Sequence, residues 1–135
     1  RTITSGAYRK ALSSRGISVK QRVAQPLSAL IESGDVDSED LRAAAGKILG
    51  PLRNCSHILL ACTHYPAITG VLQELVSSET QFIDPASEMI DIVRRWRLPK
   101  TGGDVFLTTG DAASMRSSAA KAFGVTIAEV TTISI

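Results

Sequence analysis

The chain has 135 residues, a length that suits one domain. Hydrophobic residues make up 44% of it and charged residues 21%, as in ordinary globular proteins. The net charge of +2 is too small to indicate a nucleic-acid or anionic-membrane partner. No apolar run approaches the roughly 20 residues that span a bilayer, so no membrane partner is expected. The first residue is Arg1 rather than Met, which leaves both a complete chain and a piece of a longer one open.

Helical and strand patterns alternate along the chain. Apolar residues at spacings of three and four predict helices over residues 2–15, 26–32, 41–54, 66–77, 85–96 and 111–122. Alternating or continuous apolar runs predict strands over residues 17–23, 58–61, 81–84, 105–109 and 126–135. Ser38 and Asp111 are predicted N-caps, and residues 98–103 form a predicted linker. This order indicates an α/β fold with a mostly parallel sheet and flanking helices.

The two cysteines, Cys55 and Cys62, lie on either side of the strand predicted at residues 58–61. An extended segment of that length holds their Cα atoms too far apart for a disulfide, which needs roughly 4.4–6.8 Å. We therefore expect free thiols, a reducing compartment and, by default, a cytoplasmic location.

One apolar run ends abruptly in polar, reactive side chains. The continuous run predicts a buried parallel strand, and Pro66 suits the first turn of a following helix. Cys62, Thr63 and His64 therefore fall at the carboxyl end of a strand, where open α/β sheets bind ligands. A thiol acts as a base only as the thiolate, and a neighbouring imidazole can take its proton.

The pattern alone leaves a structural role open, because a lone Cys-x-His is more often structural than catalytic. Cys55 has no comparable company, and His57 falls at the start of its strand, so structural roles are expected for both. One Cys and one His do not make a metal site, which needs three or four ligands. Neither a Walker loop nor a GxGxxG motif is present to indicate a nucleotide.

The segment Ala61-Cys62-Thr63-His64-Tyr65-Pro66 resembles the Cys-Thr-His-Tyr-Pro motif of glutamate racemases, which belong to the cofactor-independent aspartate/glutamate racemase superfamily. Further landmarks follow in family order over the whole chain. They lie at residues 2–8, 26–34, 84–86 and 108–111. The resemblance implies an α/β lobe of the racemase type that interconverts L- and D-glutamate and supplies D-glutamate for peptidoglycan.

The resemblance also implies a two-cysteine mechanism without pyridoxal phosphate or another cofactor. One thiolate removes the α-proton of the substrate, and the other thiol returns a proton to the opposite face. Cys62 would be one acid/base, and His64 would assist its proton transfer. Thr63, Glu32 and Thr2 match substrate-binding positions, with Glu32 near the substrate ammonium. From the sequence alone, a solvated Glu at a helix end is the more frequent interpretation of Glu32.

The chain departs from the family in more than one respect. Gln25-Pro26 stands where many relatives have Cys-Pro before the helix that carries Glu32, a change that we expect to be structural. The family's other cysteine lies in a first-lobe Cys-Asn-Thr segment that is absent here, and Cys55 lies at the wrong end of the strand to replace it. The resemblance therefore covers the C-terminal half of a racemase. Residues 1–98 would form the second lobe, and residues 99–135 would return to the first lobe.

Partners follow from this interpretation. We expect glutamate as substrate and the missing N-terminal half as partner, with a second copy of the chain as a further candidate. The half alone should be inactive, and residues 104–135 should lack their normal neighbours. Two alternatives stay open: an aspartate or hydantoin racemase of the same superfamily, and a non-catalytic domain that binds an amino acid.

Overall fold

The computed structural model describes residues 2–99 and 102–135, without the side chain of Thr2. Helices and strands alternate along it. The helices are α1 Thr2–Ser5, α2 Ala7–Ser13, α3 Gln25–Glu32, α4 Glu39–Leu49, α5 Thr69–Glu74, α6 Pro85–Arg95 and α7 Ala112–Phe123. The strands are β1 His57–Leu59, β2 Gln81–Ile83, β3 Leu107–Thr108 and β4 Thr131–Thr132. Short 3-10 turns at Gly50–Leu52 and Tyr65–Ile68 follow α4 and precede α5.

The strands form two parallel pairs. β1 lies beside β2 with His57 opposite Gln81, and β3 lies beside β4 with Leu107 opposite Thr131. The predicted parallel direction is therefore confirmed, and the helices flank the strands as expected. The strands are shorter than predicted, and in the described residues they form two separate sheets instead of one.

A single apolar cluster holds α3, α4, α5 and β1 together. Its buried residues come from the apolar faces predicted for these elements: Leu27, Ile31, Leu41, Ala45, Leu49, Ile58, Leu60, Ile68, Val71 and Leu72. At the surface, Arg42 of α4 forms an ion pair with Glu74 of α5 and another with Asp37 in the loop before α4. The cluster fixes α3 against the end of β1, which is where the predicted site residues lie.

Both predicted N-caps are confirmed. The Ser38 hydroxyl accepts a hydrogen bond from the Leu41 N–H at 3.1 Å and starts α4. The Asp111 carboxylate accepts one from the Ser114 N–H at 2.7 Å and starts α7. Hydrogen bonds from Ser114 also hold the pKa of Asp111 below its ordinary value.

Two predictions near the N-terminus need correction. The predicted helix over residues 2–15 is interrupted at Gly6, whose φ of 65° lies in the left-handed region, so it forms as α1 and α2. The strand predicted at residues 17–23 is wrong, because this segment has no strand partner in the described part of the chain. Ile17 and Val23 are exposed, so the alternating pattern does not mark a buried face here.

The apolar surface expected over the last thirty residues is present. Val105, Leu107, Phe123 and Val125 are all exposed. A second apolar surface lies on α6, which has no buried residue although one of its faces is strongly apolar. That face exposes Met89, Ile90, Ile92, Val93 and Trp96. Contiguous apolar surface of this kind is typical of an interaction site.

The central cluster should dominate the stability of the chain. Leu41 is 0% exposed and Leu98 is 64% exposed, so they form a matched pair. We expect Leu41→Ala to lower the free energy of unfolding by about 2–5 kcal/mol, because it leaves a cavity in the core. Leu98→Ala should change it by less than about 0.5 kcal/mol. Urea denaturation of both variants measures this, and equal effects would contradict the assignment of the core.

Candidate active site

The end of β1 delivers the predicted site residues as expected. After β1, the Leu60 N–H still bonds to the Ile83 carbonyl at 2.9 Å, which continues the parallel pairing by one residue. Cys62 and His64 then lie in the turn that leads into the 3-10 turn and α5. The prediction that they sit at the carboxyl end of a strand, just before a helix, is therefore confirmed.

Three side chains form a row at this turn, joined by one hydrogen bond and one ion-pair contact. The Cys62 Sγ lies 3.3 Å from the His64 Nδ1, and the His64 Nε2 lies 3.2 Å from the Glu32 Oε1. Glu32 is the last residue of α3, so the row joins two elements that are distant in sequence. The His64 and Glu32 side chains are 34% and 61% exposed, so the row is open to solvent at its Glu32 end.

The row favours one arrangement of the ring protons. A carboxylate only accepts hydrogen bonds, so the contact with Glu32 favours the tautomer of His64 that carries its proton on Nε2. In the neutral ring, Nδ1 is then free to accept the proton of the Cys62 thiol. If that proton moves, the imidazolium is paired on both sides, with the thiolate and with the carboxylate. The arrangement is therefore suited to making Cys62 a base.

A fourth residue, Ser28, contacts the same sulfur. Its hydroxyl lies 3.6 Å from the Cys62 Sγ, and Ser28 also acts on the pKa of the neighbouring Tyr65. Burial raises the pKa of Tyr65, and the neighbouring Cys62 raises it further, while Ser28 opposes the rise. Sequence reasoning missed Ser28. The available signal was its position four residues before Glu32, on the same face of α3.

Cys62 also borders an open cleft of 860 Å³. Thr63 and Asp84 contribute polar groups to its lining, and the exposed apolar face of α6 contributes Met89, Ile90 and Val93. The cleft is lined by Tyr8, Leu60, Ala61, Cys62, Thr63, Asp84, Pro85, Ala86, Met89, Ile90, Val93, Arg94, Arg97 and Leu98. Thr63 is exposed there, whereas Glu32 is connected to Cys62 through His64.

The remaining candidates do not join this corner. The side chain of Thr2 lies outside the described part of the chain, so its predicted role stays a prediction. Cys55 is half-buried against the apolar cluster, and neither it nor Cys62 is in a disulfide. His57 is exposed at the start of β1, where its Nδ1 lies 3.0 Å from the Ser56 hydroxyl.

Over residues 2–99 and 102–135, no three side chains of the His, Cys, Asp or Glu type are arranged to hold a metal ion. Within the same ranges, none of the helices has both the length and the apolar character needed to cross a membrane.

The Glu32–His64 contact can be tested by NMR of the imidazole nitrogens. In the unaltered chain, we expect the Nε2 of His64 to face the Glu32 carboxylate. Glu32→Ala should move the Nε2 shift toward that of an imidazole facing water, because the ring loses this acceptor. Glu79→Ala removes an exposed carboxylate elsewhere and should have no effect, and His57 serves as the internal reference. Unchanged ring shifts of His64 in Glu32→Ala would contradict the contact.

Comparisons with known proteins agree on one family. No family model matches the chain. A glutamate racemase from Bacillus cereus is 31% identical over 141 aligned positions, which cover 96% of this chain and 52% of that protein. A glutamate racemase from a Synechococcus species is 40% identical over 101 positions, which cover 70% of this chain and 38% of that protein. The chain spans about half the length of the curated relatives it matches.

Solved structures show the same fold. Glutamate racemase isoform RacE1 from Bacillus anthracis superposes with a TM-score of 0.82 at 23% identity, over 99% of this chain and 54% of that one. Glutamate racemase from Francisella tularensis, solved in complex with D-glutamate, gives a TM-score of 0.79 at 23% identity, over 98% of this chain and 54% of that one. The chain is therefore a homologue of the glutamate racemases over about half of their length.

Proposed function

We propose that this chain is the C-terminal half of a glutamate racemase and that Cys62 is one of the two acid/base cysteines of that enzyme. The observation that carries the proposal is the 3.3 Å contact between the Cys62 sulfur and the His64 Nδ1, beside an open cleft. The motif from Cys62 to Pro66 and the glutamate racemase relatives support the same assignment.

The reaction moves one proton off the substrate Cα and another onto it. His64 first takes the proton of the Cys62 thiol, and Glu32 stabilises the resulting imidazolium. The Cys62 thiolate then removes the α-proton and becomes a thiol again, leaving the electron pair on Cα. A thiol on the opposite face gives its proton to that carbon and becomes a thiolate. The proton held by His64 then returns through solvent to the new thiolate, which restores the starting state. The reverse reaction exchanges the two sulfurs, and no bond other than those to the moving protons changes.

Substrate-binding roles are proposed for Thr63, Glu32 and Thr2. Thr63 is exposed in the cleft beside Cys62, where its hydroxyl can bond to a substrate carboxylate. Glu32 already bonds to His64, and its 61% exposure leaves the carboxylate accessible to a substrate ammonium as well. The role of Thr2 rests on the resemblance alone.

The opposing thiol has to come from outside these 135 residues. Cys55 is half-buried in the apolar cluster, so it cannot face Cys62 across a substrate. We propose that an N-terminal half carries this thiol and covers the exposed face of α6 and the exposed apolar residues of the last segment. Residues 1–98 would then be the second lobe and residues 99–135 the return to the first. The free thiols suit the cytoplasm, and a homodimer of the completed enzyme can be tested by sedimentation.

The catalytic assignment can be tested in a chimera that joins the first half of the Bacillus cereus relative to this chain. We expect the chimera to racemise L-glutamate, measured by the decay of its circular dichroism, and the 135-residue chain alone to be inactive. Cys62→Ser should lower the rate by at least about 100-fold, because it removes a general acid/base.

Cys55→Ser is the matched control, because it changes the other thiol and should keep the rate of the parent chimera. Full activity in the Cys62→Ser chimera would refute the assignment of Cys62. The matched relatives are glutamate racemases, so the aspartate and hydantoin alternatives are not favoured. A non-catalytic binding domain would bind glutamate in calorimetry but exchange no α-proton in deuterated water.

A further inference from the structure

We propose that Ser28 is a positioning residue that donates a hydrogen bond to the Cys62 sulfur and thereby favours its thiolate. The significance of this contact for catalysis rests on the proposed function, but the contact itself does not. Ser28 is only 5% exposed and lies on the buried side of α3. Its hydroxyl approaches the sulfur to 3.6 Å, within hydrogen-bond distance for sulfur.

The partner of Ser28 is unusual for a serine inside a helix. Such a hydroxyl commonly bonds to a carbonyl of the preceding turn, as those of Ser14 and Ser33 do with Ala11 and Leu30. In the described part of the chain, the hydrogen bond of the Ser28 side chain goes instead to the Cys62 sulfur. A buried hydroxyl needs a partner, so α3 holds this donor against the sulfur.

The contact is stronger in one protonation state of Cys62. A neutral thiol donates a hydrogen bond to the His64 Nδ1 and is itself a weak acceptor. The hydrogen bond from Ser28 to a neutral thiol is therefore weak. A thiolate is a charged acceptor, and bonds to charged acceptors are roughly twice as strong as neutral ones. Ser28 therefore stabilises the thiolate more than the thiol, from the side of α3, while His64 approaches from the turn after β1.

Other titratable and charged groups also face this corner, and all of them are retained when Ser28 is replaced. They are His64 and Tyr65 on the same turn, Glu32 on α3, and Tyr8, Asp84, Arg94 and Arg97 around the cleft. A change seen on replacing Ser28 can therefore be assigned to its hydroxyl.

The test measures the thiol without substrate. In a Cys55→Ala background, Cys62 is the remaining thiol, and its rate of alkylation by iodoacetamide is followed against pH by mass spectrometry. We expect Ser28→Ala to move the midpoint of this profile up by about one pH unit, which is roughly tenfold less thiolate below the midpoint. Ser28→Thr keeps the hydroxyl and should restore the original midpoint.

Thr80→Val is the matched control for a lost buried hydroxyl. Thr80 is 4% exposed, and its hydroxyl bonds to the Cys55 carbonyl at 2.9 Å, away from Cys62. This variant should keep the original midpoint, whereas a shift equal to that of Ser28→Ala would overturn the proposal. An unchanged midpoint in Ser28→Ala would overturn it too. If Ser28→Ala does not fold, the equal-sized pair Ser28→Thr and Ser28→Val decides in the same way.

The outcome is distinct from that of the activity assay. A shifted thiol profile with an inactive chimera would leave the Ser28 contact standing and refute the racemase function. An active chimera with an unshifted profile would refute the role of Ser28 and support the racemase function.

Discussion

The packing of α3 against the end of β1 is the constraint on which the candidate site depends. Leu27 and Ile31 on α3 are buried in the same cluster as Ile58 of β1 and Leu60 directly after it. This packing brings two polar residues of α3, one turn apart, to the turn after β1. Ser28 reaches the sulfur of Cys62, and Glu32 reaches the imidazole of His64. The contacts made by Cys62 and His64 therefore depend on the hydrophobic packing of α3 against β1.

The last segment of the chain supports the same helix from the other side. The Ser118 hydroxyl on α7 donates a hydrogen bond to the Glu32 carbonyl at 2.6 Å. The side chain of Lys121 lies so close to Gly34 that a Cβ there would overlap it, and Gly34 also has a φ of 89°. The end of α3 is thus held by its own core and by α7, which limits how far Glu32 can move from His64.

Sequence reasoning located the part of the site that is local in the chain. Cys62, Thr63 and His64 are adjacent, and a buried strand followed by Pro66 predicts where they lie. It could not predict the contacts between residues that are distant in sequence. Spacing cannot show that Glu32 pairs with a ring nitrogen of His64, or that Ser28 faces a sulfur 34 residues away. Those contacts depend on how α3 docks, which periodicity does not specify.

The same limit explains the errors in the fold. The segment 17–23 has the alternation of a strand, but alternation creates a strand only where a neighbour pairs with it. By contrast, caps are local. Ser38 and Asp111 bond to backbone groups three residues on, so their roles can be inferred from a short stretch of sequence.

The proposed proton transfer leaves the net charge of the row unchanged. It starts from a thiol and a neutral imidazole beside the Glu32 carboxylate. After transfer, the sulfur and Glu32 are negative and His64 is positive, so the net charge of the row is unchanged. Glu32 therefore stabilises the imidazolium without being brought against the thiolate, because the ring stands between them.

The thiolate itself still gains only one donor from the ring, and a sulfur anion can accept several. A hydroxyl is suited to this position because it is neutral and rotates, so it can donate to the thiolate and relax when the thiol re-forms. The fixed positive charge of a lysine there would stabilise the thiolate at every step. It would therefore oppose the re-formation of the thiol that has to act as the acid. Because a racemase cysteine has to both take and give a proton, a neutral donor from α3 matches that task better than a charge.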